Sequence, residues 1–406
     1  MPSLDLRFAE SKSLVDSVSG QLLITFTRAS TGTFVDSDGV IRSAGNDVPR
    51  FEHNPLTGEC LGLLVEEQRV NSIRNNTMVG AVAGTPGTLP TNWSVAFSPS
   101  GLSYAVVGTG STSGIPYVDI QITGTPSANG TAQITFEQNA VIGALSGQTW
   151  TGSMYCSLEA GTLPGTAALL VIERSGAGSF LASSSTNFIP VAGSLITQKT
   201  VHTRALNNAS TAFTNLRIDA SVTSGVAVDF TLRIGLPQLE LGAFATSVIP
   251  TTGTAATRTA DVVDVINQAI ANNIRTLLLE FRSPAIGTRG VVSLNGNTAN
   301  ERAEVITSGT DPRLVVHDGG VEQANIDGGT VTANQRTRVA VRINANDFAI
   351  SINGGTVVTD NSGTLPTVIR LMLGRTQAGE YLNAPLARVI GWQQLLPDSA
   401  LQELVR

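Results

Sequence analysis

Few residues of this chain could do chemistry by type, and their spacing is the first question. The three histidines, His53, His202 and His317, lie in three separate stretches. A histidine base or zinc ligand needs partners within bonding reach, and none is supplied by sequence neighbours. Cys60 and Cys156 have no metal-ligand spacing around them and read as free thiols. Asp36-Ser37-Asp38-Gly39 begins like a calcium loop, but the later ligands and the bidentate glutamate at the twelfth position are missing, so it reads as a hairpin turn. Glu66 and Glu67 are adjacent and face opposite sides of a strand, which rules out a glycosidase acid/base pair. A salt bridge or hydrogen bond to Arg28, Arg50 or Arg69 is the simpler role. There is no Gly-x-Ser-x-Gly elbow, phosphate-cradling loop or His-Glu-x-x-His. These gaps point to a non-enzymatic protein. Aromatic residues, which sugar-binding faces need, total 5%. Trp150 and Trp392 sit in strand-like contexts and are expected in cores. Trp93 and Tyr381 sit in loop-like contexts, and with the nearby Asn383 they are the candidate ligand-binding residues.

Positioning such residues falls to β structure. The 406 residues suffice for two or three domains. Hydrophobic content is 41%, enough for real cores, but charged residues are only 14%, with Gly, Ser and Thr filling the gap. Many short strands joined by tight turns give this profile. A net charge of -6 argues against a nucleic-acid surface, which needs a basic stripe. The only lysines are Lys12 and Lys199. Because lysine commonly guards exposed sheet edges, this scarcity suggests edges covered in an assembly. No apolar run approaches the ~20 residues of a membrane span, and MPSLDLRFAE lacks a signal-peptide core. The expectation is a chain made in the cytoplasm that stays out of the membrane.

Three regions follow. Residues 1–74 are turn-dense, with short strand-like pieces and two hairpins, one around Asp36–Gly39 and one joining Phe51–His53 to Leu61–Glu66. This region is too poor in apolar surface to fold alone and must dock on a neighbour. Residues 75–261 offer eight strand candidates at spacings of a jelly-roll-like sandwich. They close on PQLELGAFATSVIPT (Pro237 to Thr251), before a linker, TTGTAATRTAD. Residues 262–406 open with RTLLLEFR, continue through a strand pair around Asn344 and the Asn353-Gly354-Gly355 turn, and end in a short helix after Pro397.

Two segments carry resemblances. RASTGTFVDSDGVIRSAGNDVPRFEHNPLTGECLGLLVEEQRVN (Arg28 to Asn71) resembles a segment near the N-terminus of many bacteriophage tail, fibre and minor virion proteins. The Pro237–Thr251 string resembles the exit of carbohydrate-binding-module-like sandwiches in phage tail proteins. The last region resembles laminin-G/concanavalin-like sandwiches in its LLLEF, VAVRINANDFAISING and ARVIGWQQLLPDSALQEL pieces. These resemblances imply an all-β chain with a virion-attachment region at 1–74 and two sandwiches. They imply a phage structural protein of tail-fibre, spike or head-fibre type, located in the virion. Its partners would be other virion proteins, further copies of itself in a trimer, and host surface polysaccharide. A purely architectural capsid-decoration or baseplate component is the alternative, and a polysaccharide depolymerase a third. No cofactor is expected, although laminin-G-like rims can hold Ca2+, which would assign Asp311 and Asp318 as metal ligands.

Overall fold

The strand RTLLLEFR shows how this sequence builds its sheets. In Thr276–Arg282, Leu277, Leu279 and Phe281 point to one side and are at most 1% exposed. Leu278 and Glu280 point to the other, where Leu278 packs with Ile390, Trp392 and Leu401. A strand covered on both faces reads as an unbroken apolar run rather than an alternation. Its second cover is the helix Asp398–Leu404, whose Leu401 is fully buried. Each buried aliphatic side chain contributes about 1.5–3 kcal/mol, so the short helix is held by packing rather than by propensity.

The computed structural model describes residues 1–265, 267–282 and 287–406. The chain is all-β, in two compact units. Among the described residues no helix is long and apolar enough to cross a membrane.

The first unit comprises Met1–Asp38, Ser43–Gln68 and Thr259–Arg406. One sheet runs Val358–Asp360, Phe348–Ile352, Arg336–Arg342, Thr276–Arg282, Ala384–Trp392, Cys60–Val65, Phe51–His53, with Leu4–Leu6 also pairing to Ala384–Trp392. The other runs Ile24–Thr27, Val262–Val265, Arg370–Leu373, Arg289–Asn295, Arg302–Ser308, Asp311–Asp318, Val321–Asp327. The pairings recorded within both sheets are antiparallel, and one shared core includes Leu4, Leu6, Ile24, Leu63, Leu279 and Val389.

The second unit comprises Gly39–Arg42 and Arg69–Arg258. Its sheets run Lys199–Ala205, Thr149–Gly161, Val228–Leu241, Ile115–Gly124, Leu102–Thr112, and Phe180–Phe188, Ala167–Arg174, Phe213–Val222, Gly130–Thr135, Ser94–Phe97. Val118, Ile120 and Ile122 alternate inward with no exposure, Phe230 lies beside Ile122 on the neighbouring strand, and Phe136 joins the same core.

This division redraws the boundaries 1–74, 75–261 and 262–406. The N-terminal residues do need a neighbour, but they dock by strand addition and do not stand as a region of their own. Leu4, Asp5 and Leu6 pair with Gly391, Ile390 and Val389, and Ile24–Thr27 pairs with Val262–Val265. Leu63, Leu64 and Val65 pair with Leu386, Pro385 and Ala384. Gly62 permits this last approach: it has φ +125, and a Cβ there would meet the Leu386 carbonyl oxygen at 2.2 Å.

Several strands escaped the sequence reading, Ser94–Phe97, Phe180–Phe188, Val262–Val265 and Val321–Asp327 among them. Phe180–Phe188 (FLASSSTNF) is serine-rich and Val321–Asp327 (VEQANID) is polar, so both resemble loops. Both are edge strands, where one neighbour and partial exposure relax the need for apolar residues.

A chain beginning at Arg69 would strip strands from both sheets of the first unit. Limited proteolysis should then degrade residues 259–406 while the second unit stays protected. Equal protection of both would show that the N-terminal strands are dispensable to the first unit.

Candidate functional site

The Arg28–Asn71 motif folds around a buried charge cluster in the first unit. Arg28 and Arg50 converge on Asp261, Nη1 of Arg28 lying 3.1 Å from Oδ1 and Nη2 of Arg50 lying 2.6 Å from Oδ2. Arg50 also reaches Glu66 at 2.8 Å. The Arg28, Arg50 and Asp261 side chains have no exposure, and that of Glu66 is 3% exposed. Backbone bonds bind the same groups: Glu66 N–H donates to Asp261 Oδ2, and Asp261 N–H donates to the Glu66 carbonyl. The remaining guanidinium hydrogens of Arg28 go to the carbonyls of Ser30, Gly45 and Val48, and Arg50 donates to the carbonyl of Thr33. Burial works against the Arg50 charge, yet Glu66 and Asp261 hold its guanidinium above its ordinary range. Two cations face two anions, so the cluster is formally neutral. That is the condition under which charge can be buried at all. The Arg50–Glu66 pair is the partnership the sequence suggested. Asp261, the hub, lay in the presumed linker and was missed. An acidic residue closing a Thr/Ala-rich stretch before an apolar strand was its only signal.

The Pro237–Thr251 string is a second clasp, in the second unit. Gln238 and Glu240 lie two apart on Val228–Leu241 and face the same way. Gln238 Oε1 accepts from Ile249 N–H at 2.7 Å. Glu240 accepts from the Thr246 N–H at 3.0 Å and from its hydroxyl at 2.5 Å. Asn71 and Asn76 complete the clasp, both donating to the Ile249 carbonyl, while Asn76 accepts from Thr251 N–H. Gly242 has φ +139, and a Cβ there would lie 1.4 Å from Arg69 Nη1, which stacks over Phe244. The motif is therefore a set of buried polar staples that turn the last strand back on itself.

The candidate ligand residues behave as structure. Trp93 is 7% exposed, its ring edge-on to Phe136 at 4.7 Å and its Nε1 donating to the Asn75 carbonyl. It offers no stacking face, which corrects its assignment as a surface platform. Tyr381 is half-buried against the first unit's core, and burial raises its phenol pKa. Asn383 exchanges hydrogen bonds with Glu67, accepting from its N–H and donating to its carboxylate. Tyr381 and Asn383 share one loop, and Trp93 belongs to the other unit.

Asp311 and Asp318 sit at opposite ends of one strand, seven steps or about 23 Å apart. A calcium ion reaches ligands at about 2.3–2.6 Å, so one ion cannot touch both. Asp318 instead accepts from the Thr364 hydroxyl, and Asp311 from that of Thr310. Among the described residues no three His, Cys, Asp or Glu side chains converge as a metal site. At Asp36, an oxygen accepts from Asp38 N–H, the bond of a turn.

His202 makes the arrangement closest to catalytic geometry, with Nε2 2.8 Å from Ser184 Oγ and Nδ1 3.0 Å from Thr186 Oγ1. A hydrolytic triad places a carboxylate where Thr186 stands, to stabilise the imidazolium. Here burial and Arg204 push the His202 pKa down, which opposes that charge. The three side chains form a staple between the edge strand and Lys199–Ala205.

What the sequence did not reveal is a groove of about 580 Å³ on the outer face of the first unit's eight-stranded sheet. Leu278, Ile390 and Trp392 line it. Across the strands runs a ladder of alternating charge: Arg7 to Asp5 at 2.8 Å, Asp5 to Arg388 at 3.3 Å, then Glu280 opposite Arg388, and Arg338 to Glu280 at 3.3 Å. Such fixed donors and acceptors could meet a hydroxyl-rich ligand. The signal was a charged residue two places from an apolar one: Glu280 from Leu278, Arg338 from Ala340 and Arg388 from Ile390.

No family model matches the chain, and no curated protein matches it. Solved structures similar to it include the tandem N-terminal CBM22 modules of Xyn10C from Paenibacillus barcinonensis, at 12% identity, TM-score 0.26, over 81% of this chain and 90% of that one. The LG4–5 domains of mouse laminin α1 align at 8% identity, TM-score 0.25, over 70% and 90%. The tripod from the baseplate of bacteriophage Tuc2009 aligns at 10% identity, TM-score 0.28, over 84% and 98%. Values this low carry no conclusion about what the chain binds or where it works.

Glu240 gives the clasp a pH signature. Burial raises its pKa above the ordinary 4.5, against the opposing hydrogen bonds from Thr246. The folded state therefore keeps the proton longer than the unfolded one. Its contribution to stability is full below the unfolded value and is lost as pH rises through the folded one. Thermal unfolding of wild type and Glu240→Gln from about pH 4 to about pH 9 should show the variant gaining on wild type as pH rises. A constant difference would contradict a raised Glu240 pKa.

Proposed function

We propose that this chain is a bacteriophage virion structural protein of tail-fibre, spike or head-fibre type, working as a non-enzymatic, homo-oligomeric β-sandwich scaffold that contacts other virion proteins. The observation that carries the reading is the Arg28–Arg50–Glu66–Asp261 cluster. Three residues of the segment that resembles phage virion proteins, Arg28, Arg50 and Glu66, meet Asp261 at one buried point, so the likeness reaches the interior of the fold. Attachment to the particle then falls to the surface of the first unit, since residues 1–38 and 43–68 belong to that body.

The purely architectural form of this reading is favoured over a sugar-reading one by the burial of Trp93. Host glycan contact remains the second reading, and the charged groove is its place. A sugar's hydroxyls suit the Asp5–Arg388–Glu280–Arg338 ladder better than any exposed ring in the described residues.

Immunogold labelling of intact particles should find the chain in the virion, and its absence there would sink the proposal. Arg338→Ala, in the groove, separates the two forms. Arg336 still pairs with Glu280 in that variant, so the architectural form expects little change in stability and unchanged host adsorption. Lost adsorption with unchanged stability would favour sugar recognition.

A further inference from the structure

We propose that the edge strand Phe180–Phe188 is a self-association surface, where a second copy of this chain adds its own Phe180–Phe188 antiparallel across a two-fold axis. The inference rests on the homo-oligomeric reading and sets a two-fold pair in place of the trimer that the resemblance implied.

The other sheet edges among the described residues are blunted. Ser94–Phe97, Ile24–Thr27, Phe51–His53 and Val358–Asp360 are three or four residues long. Lys199–Ala205 carries Lys199 and Arg204, and Val321–Asp327 carries Glu322 and Asp327. Leu102–Thr112 is long and uncharged, but a bulge at Val107 interrupts its pairing. Each is a known way of discouraging further strand addition. Phe180–Phe188 is neither short nor charged, and its one bulge, at Leu181, sits at its start rather than its middle. It runs for nine residues, and Ala182 to Phe188 pairs without interruption against Glu173 to Ala167. It closes its sheet, leaving its outer backbone edge open. No charged residue occurs between Arg174 and Lys199.

Three observations select a second copy as the occupant. The segment Ala182–Thr186 (ASSST) is nearly self-complementary about Ser184. Antiparallel pairing there sets Ala182 opposite Thr186 and Ser183 opposite Ser185, so small residues meet and hydroxyl meets hydroxyl. Two copies of a chain of net charge -6 repel except where they meet without charge, and this edge brings none. The strand is fixed in place, because Ser184 and Thr186 are stapled to His202, so little order is lost on pairing. Phe180 and, just beyond the strand, Ile189 and Val191 are 56%, 77% and 52% exposed. With them a nine-residue edge, about 30 Å long, buries on the order of 1,000 Å², where specific interfaces begin.

The exposed Ser185 supplies the test. Light scattering on the full-length protein at micromolar concentration should give twice the 42.2 kDa chain for wild type. Ser185→Lys should give a monomer with unchanged near-ultraviolet circular dichroism. Ser183→Cys/Ser185→Cys in a Cys60→Ser background should yield a disulfide-linked dimer on mild oxidation, which decides the matter if the lysine variant misfolds. An oligomer whose mass Ser185→Lys leaves intact, and which the cysteine pair does not link, overturns edge pairing while retaining homo-oligomerisation. A monomeric wild type overturns both.

Discussion

A carboxylate that must not be left alone governs the first unit. Asp261 is completely buried, and two guanidinium groups face it. Its partners come from positions 28 and 50, and Arg50 brings Glu66 with it. Four chain segments are thereby held to one point before any apolar packing is counted. Removing water from four charges is expensive, and the return comes only in one geometry. The cluster therefore specifies how the N-terminal segments meet the start of the C-terminal sandwich. Hydrophobic residues of about the right size would tolerate many arrangements of the same short strands. A buried, hydrogen-bonded, neutral set of charges tolerates one.

The second unit solves a similar problem without a net of arginines. Its last strand must turn back, and the returning segment Thr246–Thr251 has no sheet ladder for all its backbone groups. Gln238, Glu240, Asn71 and Asn76 supply the missing donors and acceptors. Uncompensated, each buried backbone group would cost about 1–3 kcal/mol. Both motifs that stand out in the sequence are thus solutions to backbone and charge burial. A cluster of polar residues invites a reading as a binding site, and here the geometry assigns it to the interior.

Much of the fold was legible because strand periodicity and turn chemistry are local. The Asp36–Gly39 and Asn353–Gly355 turns, the RTLLLEFR strand and the burial of Trp150 and Trp392 all follow from neighbours in sequence. What was not legible is long-range. The Leu4–Leu6 pairing with Ala384–Trp392 spans nearly the whole chain, and no local pattern announces it. Phe180–Phe188 was hidden by its serines, which an edge strand accepts and a central one does not. Trp93 was misread because a loop-like sequence context says nothing about whether the loop folds over a core. Asp311 and Asp318 looked close in sequence, but an extended strand turns seven residues into the longest separation it can. The charge ladder over the outer groove needed the register of four strands, which only the fold supplies.

The claim that the Arg28–Asn71 motif is a folding device centred on Asp261 is tested most directly by a double-mutant cycle between Arg50 and Asp261, read by denaturant unfolding of the first unit. Arg50→Met and Asp261→Leu should each destabilise by about 3–5 kcal/mol, because each leaves opposite charge buried and underpaired. The double variant should be much less destabilised than their sum, giving a coupling of about 2 kcal/mol or more. Two small, additive effects would show that the cluster does not hold the fold.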